Sequence, residues 1–325
     1  FEHAQSAETK TDSIVMNEDW NEFDSISPYS DEEAVAALGK LADHPVVSEV
    51  SKSLFPKEKE DYLRNVLKNI KSIDEFQTLV MAKAVAWVLD HTAHNFSYDG
   101  IANFKKINGR FLALSNHRDI ILDPAITQVV LYQNGMQTTE IAVGSNLLSN
   151  PYVEALIRSN RMIKVIRGIN ARSLYLSSQL LSKYIRTCIT SGKSSIWIAQ
   201  REGRCKDSND RTQESLIKML ALGGGKCLIQ SLKEINLMPV SISYEFDPND
   251  YLKAKEFLLK SKDPNFKKSQ RDDLFSMETG LLQYKGRVHF TFTKSINEEL
   301  DKIPADTDKN EIVRHICHII DRAIH

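Results

Sequence analysis

The stretch from Phe111 to Pro124, FLALSNHRDIILDP, holds the densest set of groups suited to proton transfer in this chain. An apolar run ends at Ser115. Asn116, His117, Arg118 and Asp119 follow at once, with Asp123 and Pro124 a few residues on. A histidine at a strand end with a carboxylate nearby is a candidate general base. The carboxylate accepts a hydrogen bond from one ring nitrogen and fixes the tautomer, so the other nitrogen can take a proton. Asp123 and Asp119 both qualify as that partner. The same residues also have a purely structural use. Asp123 before Pro124 is a good helix N-cap, and His117 would serve as a hydrogen-bonded loop histidine.

Three later stretches extend the picture. Arg161–Gly168, RMIKVIRG, reads as a strand delivering Lys164 and Arg167. Ile196–Lys206, IWIAQREGRCK, is an apolar run ending in Arg201, Glu202, Gly203 and Arg204. Guanidinium forks and backbone N–H groups at a glycine turn suit a phosphate, which arginine binds bidentately. Surface salt bridging is the plain alternative for each arginine. Leu237–Glu245, LMPVSISYE, carries Pro239 inside an apolar run, which points to an edge strand or a bulge. His91 with His94, and His315 with Cys317 and His318, have spacings that could ligate a metal. Neither has a convincing partner set, so no metal site is expected and helix-surface or core histidines are the reading. Gly223-Gly224-Gly225-Lys226 lacks the preceding strand and the glycine spacing of a phosphate loop, and reads as a helix-to-helix turn.

The elements that must position these groups follow from periodicity. Residues 1–29 are polar and irregular, a lead-in. Residues 30–95 are helical in pattern. Ser30 before Asp31, Glu32 and Glu33 is an N-terminal helix signal, and Ser72 with Glu75 three residues on has capping-box spacing. Ile73, Phe76, Val80, Ala84, Trp87 and Val88 then recur on one helical face. From residue 96 to 325, short apolar runs alternate with helical segments. The runs are Phe111–Ser115, Thr139–Val143, Met162–Ile166, Ser195–Ala199, Leu237–Tyr244 and Val288–Thr293. The helices fall near 124–133, 151–159, 171–188, 211–222, 249–260, 266–283 and 308–323. This predicts an α/β domain, a mixed central sheet flanked by helices, preceded by a small N-terminal helical bundle. Ligands are expected near the carboxyl ends of the strands.

Composition limits the function classes. The chain has 325 residues, 42% hydrophobic and 26% charged, with 42 basic residues against 43 acidic. That balance excludes a disordered chain. No run approaches the length of a membrane-spanning helix. The four cysteines, Cys188, Cys205, Cys227 and Cys317, have neither disulfide nor metal spacing, which suits a reducing, cytoplasmic setting. The net charge of −1 hides an asymmetry: residues 1–40 are strongly acidic and residues 158–211 strongly basic. A basic segment beside apolar strands suits an anionic ligand, whether a phosphorylated substrate, nucleic acid or an anionic membrane surface.

The order of these blocks resembles the glycerolipid acyltransferases that acylate glycerol phosphate and lysophosphatidate. In that family the first block is Asn-His, four residues, then Asp. The second is an apolar strand ending in Arg, the third leads into Glu-Gly and an Arg, and the fourth has a central Pro. The chain is similar in order at His117, Arg167, Glu202-Gly203 and Pro239, over about residues 96–245, and Gly144-Ser145-Asn146-Leu147 resembles a Gly-x-Asn-Leu stretch of the glycerol-3-phosphate and dihydroxyacetone-phosphate branch. It departs in placing five residues between His117 and Asp123, in setting Arg204 directly after Gly203, and in having Arg201 where proline is common. Asp123-Pro124 resembles the Asp-Pro of the soluble plastid glycerol-3-phosphate enzymes.

The resemblance implies an O-acyltransferase of glycerophospholipid synthesis. His117, oriented by Asp123, would take the proton of a glycerol hydroxyl that attacks the thioester of acyl-CoA or acyl-carrier protein. Lys164, Arg167, Arg201 and Arg204 would hold the acceptor's phosphate. Glu202 would pair with an arginine or bind a substrate hydroxyl, and N–H groups after Asp123 would face the oxyanion. No cofactor is implied beyond the acyl donor. Glycerol 3-phosphate is the preferred acceptor, with lysophosphatidate, another lysolipid or a hydroxy-amino-acid lipid as alternatives. The expected setting is cytoplasmic, with peripheral contact on an anionic membrane open and no nucleic-acid partner expected. The alternative of another class is a non-catalytic binder of anionic lipid or nucleic acid using residues 158–211.

Overall fold

The computed structural model describes residues 20–148, 150–166 and 170–325. The N-terminal helices are α1 (Asp31–Leu41), α2 (Val46–Leu54), α3 (Tyr62–Asn69), α4 (Ile73–Phe76) and α5 (Ala82–Thr92), the last two joined by a π-helical turn at Gln77–Met81. Ser30 caps α1 in a full capping box with Glu33. At α4 only half of the box forms: Ser72 accepts from the Glu75 N–H, while the Glu75 carboxylate turns to the Lys71 N–H. Leu63 and Leu67, four apart on α3, meet Leu38, Val47, Phe55 and Phe76 in a core of their own. Each such side chain contributes about 1.5–3 kcal/mol by leaving water. The bundle packs onto the rest of the molecule through α1 and α5.

Seven strands form one sheet: β1 (Ala93–Asp99), β2 (Leu112–Ser115), β3 (Glu140–Gly144), β4 (Met162–Val165), β5 (Ile196–Ala199), β6 (Leu237–Tyr244) and β7 (Gly286–Phe292). Their order is β1-β7-β6-β2-β5-β3-β4. Strands β2 to β6 run parallel, whereas β7 runs antiparallel to β6, and β1 follows β7. The sheet is therefore mixed, as expected. The segments between strands supply α6 (Ile101–Lys105), α7 (Leu122–Gln133), α8 (Pro151–Arg158), α9 (Ala171–Thr190), α10 (Glu214–Leu222), α11 (Leu228–Lys233), α12 (Asp250–Lys262) and α13 (Gln270–Leu282). After β7 come α14 (Asn297–Leu300) and α15 (Lys309–Ile324).

The two-residue repeat of β2 sorts the core. Leu112 and Leu114 face α9, α10 and α15 through Ile185, Ile217, Ile316 and Ile320. Ala113 faces Phe104, Ile126, Val130 and Trp197 on the other side. Strands covered on both faces read as short unbroken apolar runs, which is why β2 and β5 were legible in the sequence. Strand β1 was not predicted. It is an edge strand with His94, Asn95 and Ser97 exposed, so its pattern is polar.

Pro239 corrects an expectation. Strand β6 is central, between β7 and β2, not an edge. Its register with β7 begins at Val240, so the missing proline N–H falls where that ladder ends. The Pro239 carbonyl still accepts from Thr293 at 3.1 Å. The glycine run at 223–225 lies between α10 and α11, the helix-to-helix turn that was expected. Phe23 and Ile26 of the lead-in are buried in the main core, with Phe23 edge-on to Tyr184 at 5.2 Å.

Candidate active site

Because β2 to β6 are parallel, the loops carrying the first and third sequence blocks leave the sheet at one edge, after neighbouring strands. Such an edge is where open α/β sheets place their ligands. His117 comes two residues after β2. Asn116 beside it sutures β2 to β6: its amide donates to the Ile242 carbonyl (2.9 Å) and its oxygen accepts from the Ile242 N–H (2.8 Å). This clamp holds the loop's first residue rigid, since both polar ends of the amide are used.

The two candidate partners of His117 separate cleanly. Asp123 Oδ2 lies 3.0 Å from His117 Nδ1 and also accepts from the N–H groups of Arg118 (2.6 Å) and Asp119 (2.9 Å). Tyr244, the last residue of β6, donates its hydroxyl to Asp123 Oδ1 at 3.3 Å. Asp119 instead accepts from the N–H groups of Ile121 (2.9 Å) and Leu122 (2.8 Å) and caps α7. The structural use foreseen for Asp123 thus belongs to Asp119, because α7 starts at Leu122 and Asp123 falls inside its first turn. An ionised Asp123 requires the proton on Nδ1 and leaves the Nε2 lone pair of His117 free. The ring stands edge-on to Trp197 with centroids 6.1 Å apart.

The electrostatics agree with this division. Burial, and after it the charge of Asp123, push the Asp119 carboxyl above the usual range, against the pull of its backbone donors. Burial and the Asp123 charge also raise the Tyr244 hydroxyl well above its ordinary value, so it stays a donor. The N–H groups of Arg118, Asp119, Ile121 and Leu122 are all spent on these two carboxylates.

The third block folds over the first. The Cys205 N–H donates to the His117 carbonyl at 3.3 Å, and Arg118 lies 3.6 Å from both Asp210 and Asp247. Arg204 is buried, with one guanidinium nitrogen 2.8 Å from Ser276 Oγ on α13 and the other buried without a hydrogen-bond partner. Arg201 is half-buried and donates to the Asn209 carbonyl at 3.1 Å. Glu202 is exposed, with its N–H on Gln213 at 2.7 Å. Gly203 sits at φ +70°, where a side chain is strained, which is the reason for glycine in this turn. Lys164 lies on the edge strand β4, three strand spacings from β2, or about 14 Å across the sheet. Arg167, expected to bind phosphate, lies outside the described residues.

The basic segment is not one open face. Arg158, Arg161, Lys183, Arg186 and Lys193 lie 3.6, 2.6, 2.6, 2.6 and 3.5 Å from the carboxylates of Glu154, Asp74, Glu22, Glu234 and Glu140. One of these, Glu22, comes from the acidic lead-in.

Helices α12 and α13 fill the connection between β6 and β7 and close the site from behind. Lys253 donates to the Arg118 carbonyl at 2.8 Å. Gly280, inside α13, approaches Asp119 so closely that a Cβ there would stand 2.1 Å from Asp119 Oδ2. Tyr244 and Gly280 escaped the sequence reading. Tyr244 left a signal as a polar group at the carboxyl end of a strand beside the first block; a glycine within a helix left none. On the other side of α7, an apolar cavity of about 310 Å³ opens beside Ile120, Ile121 and Pro124 and runs between Val85, Val129 and Ile141.

Comparisons with known proteins bear on this site. Curated proteins contain no match to the sequence. Among solved structures the chain is similar to the 1-acyl-sn-glycerophosphate (LPA) acyltransferase PlsC from Thermotoga maritima. The TM-score is 0.43 at 12% identity, covering 89% of this chain and 94% of that one. The family described as Acyltransferase matches residues 95–243, a span that includes His117, Asp123, the Glu202-Gly203 turn and Pro239. Residues 95–243 are therefore similar to the acyltransferase family, in line with the glycerolipid enzymes whose four blocks the sequence resembles.

Proposed function

We propose that this acyltransferase moves a fatty acyl group from an acyl thioester to a hydroxyl of glycerol 3-phosphate, with His117 as general base. The observation that carries the reading is the His117–Asp123 pair, 3.0 Å apart at the carboxyl edge of the sheet. His117 Nε2 takes the hydroxyl proton as the oxygen attacks the thioester carbonyl, and the collapse of the tetrahedral intermediate expels the thiolate. The substrate hydroxyl is itself the nucleophile, so no acyl-enzyme forms. The proton on His117 returns to the departing sulfur. Arg201 and the Gly203 turn hold the acceptor's phosphate and orient the hydroxyl, with Lys164 and Arg167 as further cations from the second block. The cavity beside Ile121 and Pro124 has the apolar lining an acyl chain requires.

The donor is acyl-CoA or acyl-carrier protein, and no cofactor is needed. The test is release of free thiol from acyl-CoA or acyl-carrier protein by the purified chain, with glycerol 3-phosphate and lysophosphatidate as parallel acceptors. Turnover on glycerol 3-phosphate, lost in His117→Ala, supports the reading. Preference for lysophosphatidate moves the acceptor one step along, and equal activity in both proteins removes His117 from catalysis. No transfer to either acceptor overturns the reading in favour of a binding protein.

A further inference from the structure

Strands β6 and β7 are antiparallel neighbours, a pair that a short hairpin would join. The chain instead spends Glu245–Lys285 on α12 and α13. The inner sides of these helices are polar and tied to the site, through Lys253, Ser276 and Gly280. Their outer sides are not what a solvated helix shows. Tyr251, Phe257 and Leu258 on α12, and Phe275 and Leu282 on α13, are each more than half exposed. Phe246 and Tyr284, also more than half exposed, pack as tilted rings with centroids 6.0 Å apart where the insertion leaves the sheet. Nearly half of the large apolar side chains exposed among the described residues fall between Phe246 and Tyr284. Such a cluster marks an interaction surface rather than ordinary scatter.

Charge identifies the partner. Between Lys253 and Arg271 the sequence has seven basic residues against only Glu256 and Asp263. Lys255, Lys260, Lys262, Lys267 and Arg271 are exposed, while Glu256 is buried under Lys206, Lys260 and Lys268. Asp272 and Asp273, which follow, are turned to Ser269 and Lys268. Asp247 is turned inward to Lys253 and Arg118, while Asp250 beside Tyr251 and Glu278 on α13 remain exposed. Aromatic and leucine side chains projecting among lysines fit the interface of an anionic bilayer, where rings enter the headgroup region and lysines meet lipid phosphates.

We propose that the outer face of α12 and α13 docks this protein reversibly on an anionic phospholipid surface. The docking stands on the exposed side chains; its use, presenting a lipid substrate or product to the His117 edge, rests on the acyltransferase reading.

The experiment is co-sedimentation of the full chain with vesicles of phosphatidylcholine alone or with added phosphatidylglycerol. Binding is expected on the anionic vesicles. Phe257→Ser/Leu258→Ser/Phe275→Ser should abolish it with unchanged melting temperature. Lys255→Gln/Lys262→Gln/Lys267→Gln should weaken it about 100-fold, at roughly 1 kcal/mol per lysine. Wild-type protein that ignores anionic vesicles, or serine variants that bind like wild type, overturn the proposal. So does a wild-type dimer that the serine substitutions split, since a second copy would then own the face. Acyl transfer to soluble glycerol 3-phosphate is measured alongside and should be equal in wild type and the serine variant. Vesicle binding without any transfer would refute the acyltransferase reading and keep the docking surface; transfer without vesicle binding would do the reverse.

Discussion

The loop after β2 and the loop after β5 leave the same edge of the sheet, yet they treat their polar groups in opposite ways. In the first, every donor named is spent inward: four backbone N–H groups, the Tyr244 hydroxyl and the His117 ring converge on two buried carboxylates. In the second, Glu202 and Gly203 are exposed and Arg201 is half-buried, while Arg204 and Lys206 anchor the loop to α13 and α12. The contrast is the one that the two proposed roles, proton transfer and phosphate binding, would require. A general base works only in one tautomer and one orientation, which a saturated hydrogen-bond shell imposes. A phosphate site must keep donors unspent until the ligand arrives.

His117→Ala gives the largest expected effect, a fall in kcat of roughly a thousandfold with little loss of stability, read by steady-state thiol release. A loss below tenfold would mean that the inward network is scaffolding only.

Acid should loosen the second loop through its anchor. Burial raises the Glu256 carboxyl, but Lys206, Lys260 and Lys268 outweigh it and bring the group down to about 2, from an ordinary 4.5. A lowered carboxylate stabilises the fold fully above its unfolded value and loses that contribution as pH falls. The expected loss is about 3 kcal/mol between pH 4.5 and 2, removed in Glu256→Gln, by urea titration at several pH values.

Gly280→Ala forces a methyl against Asp119 and should cost about 2 kcal/mol, with kcat lowered as the cap of α7 shifts. Thermal denaturation checks the first part. The two smallest effects set the loops directly against each other. Arg201→Ala should raise the KM for glycerol 3-phosphate about tenfold and spare kcat, as expected for ground-state phosphate binding. Tyr244→Phe should do the opposite, lowering kcat about fivefold at constant KM through loss of one hydrogen bond to Asp123, about 1 kcal/mol. Both variants moving the same parameter would erase the distinction.

Much of this was legible from residue order. Strands β2, β5 and β6 announced themselves as apolar runs because helices cover both faces of the sheet. Ser30 and Ser72 marked helix starts because capping is a local event, decided within three residues. Strand β1 was hidden for the complementary reason: an edge strand held by pairing with β7 needs no apolar pattern.

Residue order alone shows an acyltransferase-like series of blocks, with His117 at the end of an apolar run and carboxylates a few residues on. Which of these carboxylates meets the His117 ring depends on the fold. Asp119 and Asp123 are both acids near a helix start, and their roles separate only when α7 begins at Leu122 and Tyr244 arrives from another strand. The same holds for Arg204 and Arg201, whose different burial depends on α13, distant in sequence but packed against the third block. Short-range patterns encode elements and caps. Burial and partner choice depend on contacts between residues far apart in the chain, which no local spacing records.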